Sequence, residues 1–309
     1  RKLLINLMRF AGGNLPINAV GLAVPFLVRA QIVRDMGLDA NGIFQSAFVL
    51  SNQYLSMILN ATLAYVVPKI SQLTENKEIN HEVNNALKIG LLLCTFGILS
   101  VLLFRDLLIS ALFSKAFLPA VGLIGWQLIG DHFRGIELVL QTPLVPQERF
   151  RARVVIGLIR NVVFLTVFYL PNAEHRLEGA VWAHAIGYTV MCLSTYLYTN
   201  RSNGFTISRP NKLLLATSTA TVMLLAFVDV TDIRWRIAGV VVMAAWAATS
   251  LNRESLMYSF ARSLNSLLNL SSFDEVGFSA QGLSPSLPYP SRPQSMIKSI
   301  SSENRSITP

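Results

Sequence analysis

Most of the chain consists of apolar stretches, and each stretch is long enough, or nearly so, to cross a bilayer as a helix. The hydrocarbon core of a membrane is roughly 30 Å thick and needs about 20 apolar residues per spanning helix. The pattern predicts an all-α fold, a polytopic membrane helix bundle of about eight transmembrane helices. The predicted spans are Leu15–Ile32, Gly42–Val67, Leu87–Phe104, Pro119–Leu144, Val154–Leu170, Gly179–Tyr198, Leu213–Val228 and Ile237–Ser250.

The fourth span is interrupted by ionisable residues, in the run WQLIGDHFRGIE. On a helical wheel, its polar side chains fall within about 120° of one another and the opposite arc is apolar. A charged group at the bilayer centre costs roughly 2.5–3.5 kcal/mol, so this face must line protein or water. Two interpretations stay open: a buried ion pair between Asp131 and Arg134, or one wall of a hydrophilic cavity. The polar face comprises Gln127, Asp131, Arg134, Glu137 and Gln141.

Polar stripes on neighbouring spans favour the cavity. Side-chain hydrogen bonds between membrane helices contribute only about 0.6 kcal/mol on average, so helix packing alone explains one or two such residues but not three aligned stripes. The first span carries Asn14, Asn18, Pro25 and Arg29, the second carries Gln45, Asn52, Ser56 and Asn60, and the fifth adds Arg160. If all of these face inward, arginines outnumber carboxylates. A cationic cavity favours an anionic, phosphate-bearing substrate, because arginine presents a planar fork of donors to phosphate oxygens.

Composition and charge agree with a membrane protein. Hydrophobic residues make up 52% of the 309 residues, charged residues only 14%, and the mean hydropathy is +0.47. The net charge of +9 does not indicate nucleic acid as a partner, because the basic residues are scattered over short loops and form no stripe. They are more numerous in alternate loops, and the positive-inside bias then predicts cytoplasmic termini.

Signals of covalent chemistry are missing from the sequence. No glycine-rich phosphate loop, metal-ligand spacing or nucleophile elbow is present, so we predict no enzyme activity, no metal and no cofactor. Cys94 and Cys192 both fall in predicted spans, as packing residues. His132 and His184 are interpreted first as helix-interface residues, with proton transfer as the alternative.

The last part of the chain differs from the rest. Residues 252–270 repeat leucine and phenylalanine at helical spacing, which predicts an amphipathic helix on the cytoplasmic face of the membrane. Residues 271–309 are rich in serine and proline, and we expect a disordered tail there.

Three runs carry a resemblance to a known family: GIFQSAFVLSNQYLS, YVVPKISQLTENKEINHEVNNALK and LFSKAFLPAVGLIGWQLIGD. In this order and spacing they resemble the O-antigen and enterobacterial common antigen flippases, from the polysaccharide biosynthesis branch of the multidrug/oligosaccharidyl-lipid/polysaccharide superfamily. The similarity extends from about residue 5 to residue 200. Residues of the types found in the family stand at Arg29, Gln45, Tyr54, Gln127 and Asp131, and Arg134 replaces what is often another basic residue.

The resemblance implies a transporter that flips an undecaprenyl-pyrophosphate-linked oligosaccharide, such as an O-antigen unit, across the bacterial inner membrane by alternating access. Its partners would be that lipid-linked glycan, membrane lipid and other polysaccharide assembly proteins. The expected substrate-binding residues are Arg29, Arg134, Arg160, Asn18, Gln45, Asn52 and Gln127. Asp131 and Glu137 are the expected coupling residues.

Two departures from the family pattern shape the predicted domains. Residues 1–200 correspond to the six-helix C-terminal lobe of a two-lobed flippase, and the first lobe is missing, so we expect a fragment or a truncated gene product. Residues 201–251 add two transmembrane helices, which related lipid II flippases also carry. Three other functions stay open: a cation-coupled multidrug exporter of the same superfamily, a membrane glycan polymerase or ligase, and an inactive fragment.

Overall fold

Long helices account for nearly all of the described chain, because its apolar runs can satisfy their backbone hydrogen bonds internally only as helices or closed barrels in a lipid environment. The computed structural model describes residues 2–147, 149–228 and 232–251, with side chains from residue 21 onward except those of residues 22, 54 and 251. The helices within this part are α1 (Lys2–Ser71), α2 (Asn76–Leu112), α3 (Val121–Leu140), α4 (Phe150–Tyr169), α5 (Arg176–Asn203), α6 (Arg209–Ala226) and α7 (Ile233–Leu251). Short 3₁₀ turns lie at Lys115–Ala120, Thr142–Leu144 and Ala173–His175.

The first two predicted spans belong to a single long helix, α1, which is interrupted at Gly37. Gly37 has φ +89° and ψ 178°, a conformation that residues with a Cβ rarely adopt. The hydropathy pattern predicts a connecting loop at residues 33–41. The structure differs because helical geometry resumes directly after the single glycine, so the two spans meet at a kink.

The centre of the bundle is α3, which packs against α1, α2, α5 and α6. Helix α4 lies against α5 and α1, and α7 lies against α2 and α6. The contact of α3 with α5 is close at Gly130, where a Cβ would collide with the His184 ring and lie 3.0 Å from the Ala185 backbone. Only glycine permits this approach, so the central helix pair is set by one residue.

Helix α6 is attached to α2 at both ends. Near one end, Asn84 donates to the Thr206 carbonyl (3.0 Å) and accepts from the Ser208 amide (2.8 Å). Near the other end, Arg105 donates to the carbonyls of Ala226 (2.9 Å) and Val228 (2.8 Å), which lie at the end of α6. Last-turn carbonyls have no partner inside their own helix, so a guanidinium satisfies them and also complements the helix dipole.

Each predicted span overlaps a helix, but the bounds differ: α3 (Val121–Leu140) is shorter than its predicted span, and other helices extend beyond theirs. For example, α5 continues to Asn203, past the predicted domain boundary at residue 200. Two described helices, α2 and α4, are long and apolar enough to cross a membrane by length and composition alone. The predicted amphipathic helix at residues 252–270 and the predicted tail at 271–309 lie outside the described residues.

Candidate functional site

A cavity of about 700 Å³ lies between α1, α3, α4 and α5. Its polar lining includes residues predicted on α1, α3 and α4, together with His184 and Tyr188 of α5, and its apolar lining includes Val24, Val28 and Phe44. On α3, the lining residues run from Gln127 to Gln141. At 1.5 Å per residue this distance is about 21 Å, so the cavity follows the central helix over most of its length.

The centre of the cavity wall is a polar cluster around Asp131. The Asp131 side chain is fully buried, and its Oδ1 lies 3.1 Å from Nε2 of His184 and 3.7 Å from Nη1 of Arg134. Arg134 also donates a hydrogen bond of 2.7 Å to Oδ1 of Asn52. The cluster therefore ties together α3, α5 and α1, and it explains why an apolar helix holds both an aspartate and an arginine: each is the partner of the other.

Two arginines of the cavity share one aromatic ring. The Cζ of Arg160 lies 4.9 Å from the ring centroid of Tyr188, and the Cζ of Arg134 lies 5.9 Å from the same centroid. Arg160 also donates a 2.6 Å hydrogen bond to Oδ1 of Asn161, its neighbour in the sequence. Cation–π contacts of this length are worth about 0.5–2 kcal/mol, depending on how far they are removed from water.

The third cavity arginine, Arg29, comes from the first half of α1. Its Cζ lies 5.5 Å from the centroid of the Phe48 ring, on the second half of the same kinked helix. The Nε of Arg29 and the Nε2 of Gln127 are buried without a hydrogen-bond partner among the described residues. Both are donors in the wall of the cavity, where an anionic or carbonyl oxygen would satisfy them.

Glu137 lines the cavity one helical turn beyond Arg134 and is 3% exposed. Its Oε1 accepts a hydrogen bond from the Thr195 hydroxyl (3.1 Å), and its Oε2 accepts one from Gln141 (3.3 Å). The lining thus holds three arginines and one glutamate, with Asp131 behind it. The cavity keeps the cationic excess that the sequence predicts.

The structure places the predicted site residues in three groups. Those in the cavity lining are Arg29, Asn52, Gln127, Arg134, Arg160 and Glu137. Asp131 is fully buried and is not in the lining, but it contacts His184 and Arg134, which are. Gln45 does not line the cavity and its Oε1 is buried without a partner in the described part of the chain. The side chains of Asn18 and Tyr54 lie outside the described residues.

Two cavity residues, His184 and Tyr188, are absent from the predicted substrate-binding set. They lie four residues apart on α5 with ring centroids separated by 4.8 Å, so one face of α5 presents both rings to the cavity. That i, i+4 pair of polar aromatic residues was the available sequence signal. His132, by contrast, points to α6, where its Nε2 lies 3.0 Å from the Thr219 hydroxyl. Its place between helices fits the packing role expected of it.

Comparison with known proteins gives distant relatives over part of the chain. The chain is 26% identical over 189 residues to a protein named lipid III flippase from Escherichia coli (strain K12), and equally to a protein of that name from Shigella flexneri. The alignment covers 60% of this chain and 45% of each relative, so the chain spans about half the length of the curated relatives that it matches. No protein-family model and no solved structure matches the chain.

These similarities bear on two of the predictions. The helical architecture, the two apolar helices α2 and α4 and the flippase relatives together confirm an all-α membrane helix bundle. Both relatives are named for moving a lipid and not for an enzymatic reaction, which agrees with a transport protein. The O-antigen substrate expected from the family resemblance is not specified by these names.

Proposed function

We propose that this chain is one lobe of a transporter that flips a lipid-linked, pyrophosphate-bearing oligosaccharide across the bacterial inner membrane. The observation that carries the proposal is the convergence of Arg29, Arg134 and Arg160, from three helices, on one cavity inside a membrane bundle. Such a cluster is costly in lipid unless it serves an anionic ligand or an ion pathway. The lipid III flippase relatives support a lipid-linked substrate.

In this proposal the three arginines hold the pyrophosphate, and the amide side chains of Asn52 and Gln127 hydrate the glycan. The lipid tail stays in the bilayer. Residues 1–200 form the six-helix lobe, residues 201–251 add two further helices, and both termini face the cytoplasm. An O-antigen unit or a related surface glycan is the proposed cargo, and other polysaccharide assembly proteins are the proposed partners.

Asp131 and Glu137 have different proposed roles in coupling. Asp131 does not line the cavity, so it acts through its neighbours, by orienting Arg134 and by sharing a proton with His184. Glu137 lines the cavity, and the hydroxyl of Thr195 holds it in place. It is the proposed site at which a proton enters or leaves the cavity during transport.

The multidrug exporter is the weaker candidate. An organic cation would need an accessible carboxylate, but Asp131 is already paired with two partners and Glu137 shares the lining with three arginines. Like charges in a cavity of low dielectric disfavour a cationic cargo. The cavity chemistry therefore favours an anion.

The test is complementation of a bacterium that lacks its lipid III flippase, using the complete reading frame that contains this chain. The measurement is the fraction of radiolabelled lipid-linked intermediate that is accessible from the periplasmic side, together with the surface glycan on a gel. We expect the unmodified protein to restore both. A charge-assisted contact contributes about 1.5–3 kcal/mol, so Arg134→Ala and Arg160→Ala should each reduce flipping by about tenfold or more.

The matched control is Arg151→Ala, on the same helix as Arg160 but exposed and outside the cavity. It should complement like the unmodified protein. Full activity of both cavity variants would contradict the proposed role of the arginines. Failure of the unmodified protein, when it is expressed and membrane-inserted, together with acquired drug resistance would favour the exporter.

A further inference from the structure

We propose that Tyr188 is a specificity-determining residue, whose ring holds Arg134 and Arg160 as a pair that selects a two-phosphoryl group over a single phosphate. The inference rests on the proposed function and identifies the group that sets its ligand class. Tyr188 lies on α5, while the two arginines come from α3 and α4. The ring is thus the point at which three helices of the cavity meet.

Two positively charged side chains lie close to the same aromatic ring. Both guanidinium carbons lie within 6 Å of the Tyr188 centroid, at 4.9 Å for Arg160 and 5.9 Å for Arg134. Their separation can be no greater than the sum of these two distances. Two like-charged groups beside the same ring repel each other, and the negative face of an aromatic ring offsets part of that repulsion.

Each guanidinium group is oriented by a hydrogen bond and by aromatic contact, and Arg134 also lies 3.7 Å from Asp131. Arg134 gives one hydrogen bond to Asn52, and Arg160 gives one to Asn161, while the Tyr188 ring contacts both. A guanidinium has five N–H donors in a fixed fork, so within the described part of the chain each arginine keeps donors that make no hydrogen bond. Two forks beside one ring can each take the oxygens of one of two linked phosphoryl groups, whereas a single phosphate can engage only one fork fully.

The ring, rather than the hydroxyl, carries this role. Within the described part of the chain the Tyr188 hydroxyl forms no hydrogen bond. The Tyr188 ring also packs edge-on against the His184 ring, with centroids 4.8 Å apart and an interplanar angle of 63°. A tyrosine that only filled space would tolerate an aliphatic side chain without any change in ligand preference. The spacer role instead requires an aromatic quadrupole at this position.

The experiment uses the full chain in lipid nanodiscs and two probes, geranylgeranyl pyrophosphate and geranylgeranyl monophosphate, with Kd measured by calorimetry. The unmodified protein should prefer the pyrophosphate. Tyr188→Leu should reduce that preference by about tenfold, mainly by weakening pyrophosphate binding, and Tyr188→Phe should retain it. If the leucine variant is not monodisperse, Tyr188→Met fills a similar volume without the aromatic face and gives the same comparison.

The matched control is Tyr198→Leu on the same helix. The Tyr198 ring also lies against an arginine, with the Cζ of Arg149 at 5.9 Å, but neither residue lines the cavity. This variant should keep the full preference. An unchanged ratio in Tyr188→Leu, or an equal loss in Tyr188→Phe, would overturn the spacer role while leaving the proposed function intact. An unmodified protein that binds neither probe would instead refute the pyrophosphate cavity itself.

Discussion

Replacing Gly130 by alanine is expected to separate α3 from α5 and to disturb the cavity from behind. The new Cβ would collide with the ring of His184 and would lie 3.0 Å from both the nitrogen and the Cα of Ala185. A ring can rotate away, but the Ala185 backbone belongs to α5 and cannot move alone. The methyl group therefore forces the two helices apart and displaces His184 from Asp131.

The expected magnitude has three parts. Overpacking a well-filled core costs about 1–3 kcal/mol, and losing a hydrogen bond to a charged, buried group costs about 1.5–3 kcal/mol. Alanine is a better helix former than glycine by about 1 kcal/mol, which offsets part of this cost. The net loss of stability is about 2–4 kcal/mol, or roughly 3–6 °C in Tm for a chain of this size.

The assay is thermal unfolding of purified protein in detergent, followed by tryptophan fluorescence, with Gly122→Ala as the matched control. Gly122 lies on the same helix, and a Cβ there would meet nothing within 4 Å. The control should be neutral or slightly stabilised, because only the helix-propensity gain acts. A Gly130→Ala protein as stable as the Gly122→Ala protein would refute the close approach of α3 and α5.

Three further predictions concern polar contacts between helices. Arg105→Ala should free the end of α6 and speed limited proteolysis near residue 228 by about a hundredfold or more, because it removes two charged hydrogen bonds of about 1.5–3 kcal/mol each. Asn84→Ala should destabilise the start of α6 by about 1–3 kcal/mol in thermal unfolding, while Asn85→Ala, next to it, should not. The hydrogen bond from Gln31 and the ion pair with Arg176 hold the pKa of Asp35 below its usual value. The unmodified protein should therefore lose stability on acidification below about pH 4, and the Asp35→Asn variant should not show that loss.

Each of these three predictions can be contradicted by a specific result. Unchanged cleavage in the Arg105 variant would mean that α6 and α7 hold their position without the guanidinium. Equal destabilisation by the Asn84 and Asn85 variants would mean that local helix propensity, and not the contact with α6, sets the effect. The Asp35 carboxylate contributes stability above its unfolded pKa and loses it as pH falls through the lowered folded value. An acid profile that is identical with and without Asp35 would therefore contradict the pairing with Arg176.

Helix existence was predictable because it depends on local chain properties. Long apolar runs in a membrane leave the backbone no alternative to helices or a closed barrel, so every predicted span overlaps a helix. The kink at Gly37 was not predicted, because a glycine between two apolar runs is compatible with either a loop or a break in one helix. The backbone conformation at that residue decides between them.

The polar face of α3 was also predictable, because residues at helical spacing share a side whatever lies opposite. The sequence could not give the rotation of α3 against its neighbours. That rotation puts Arg134 and Glu137 into the cavity lining but leaves Asp131 fully buried against His184. A helical wheel places these residues on one arc of about 120°, and only helix packing decides which part of that arc faces the cavity.

The amino-acid sequence by itself thus determined the helices, their polar stripes and the cationic excess of the stripes, since all three follow from composition and spacing along one chain. Only the tertiary structure decided which stripes meet. Tyr188 contacts arginines that lie 28 and 54 positions earlier in the chain, and Arg105 satisfies carbonyls more than a hundred positions later. Such partners are chosen by how helices pack in three dimensions, and close packing at residues such as Gly130 fixes that arrangement.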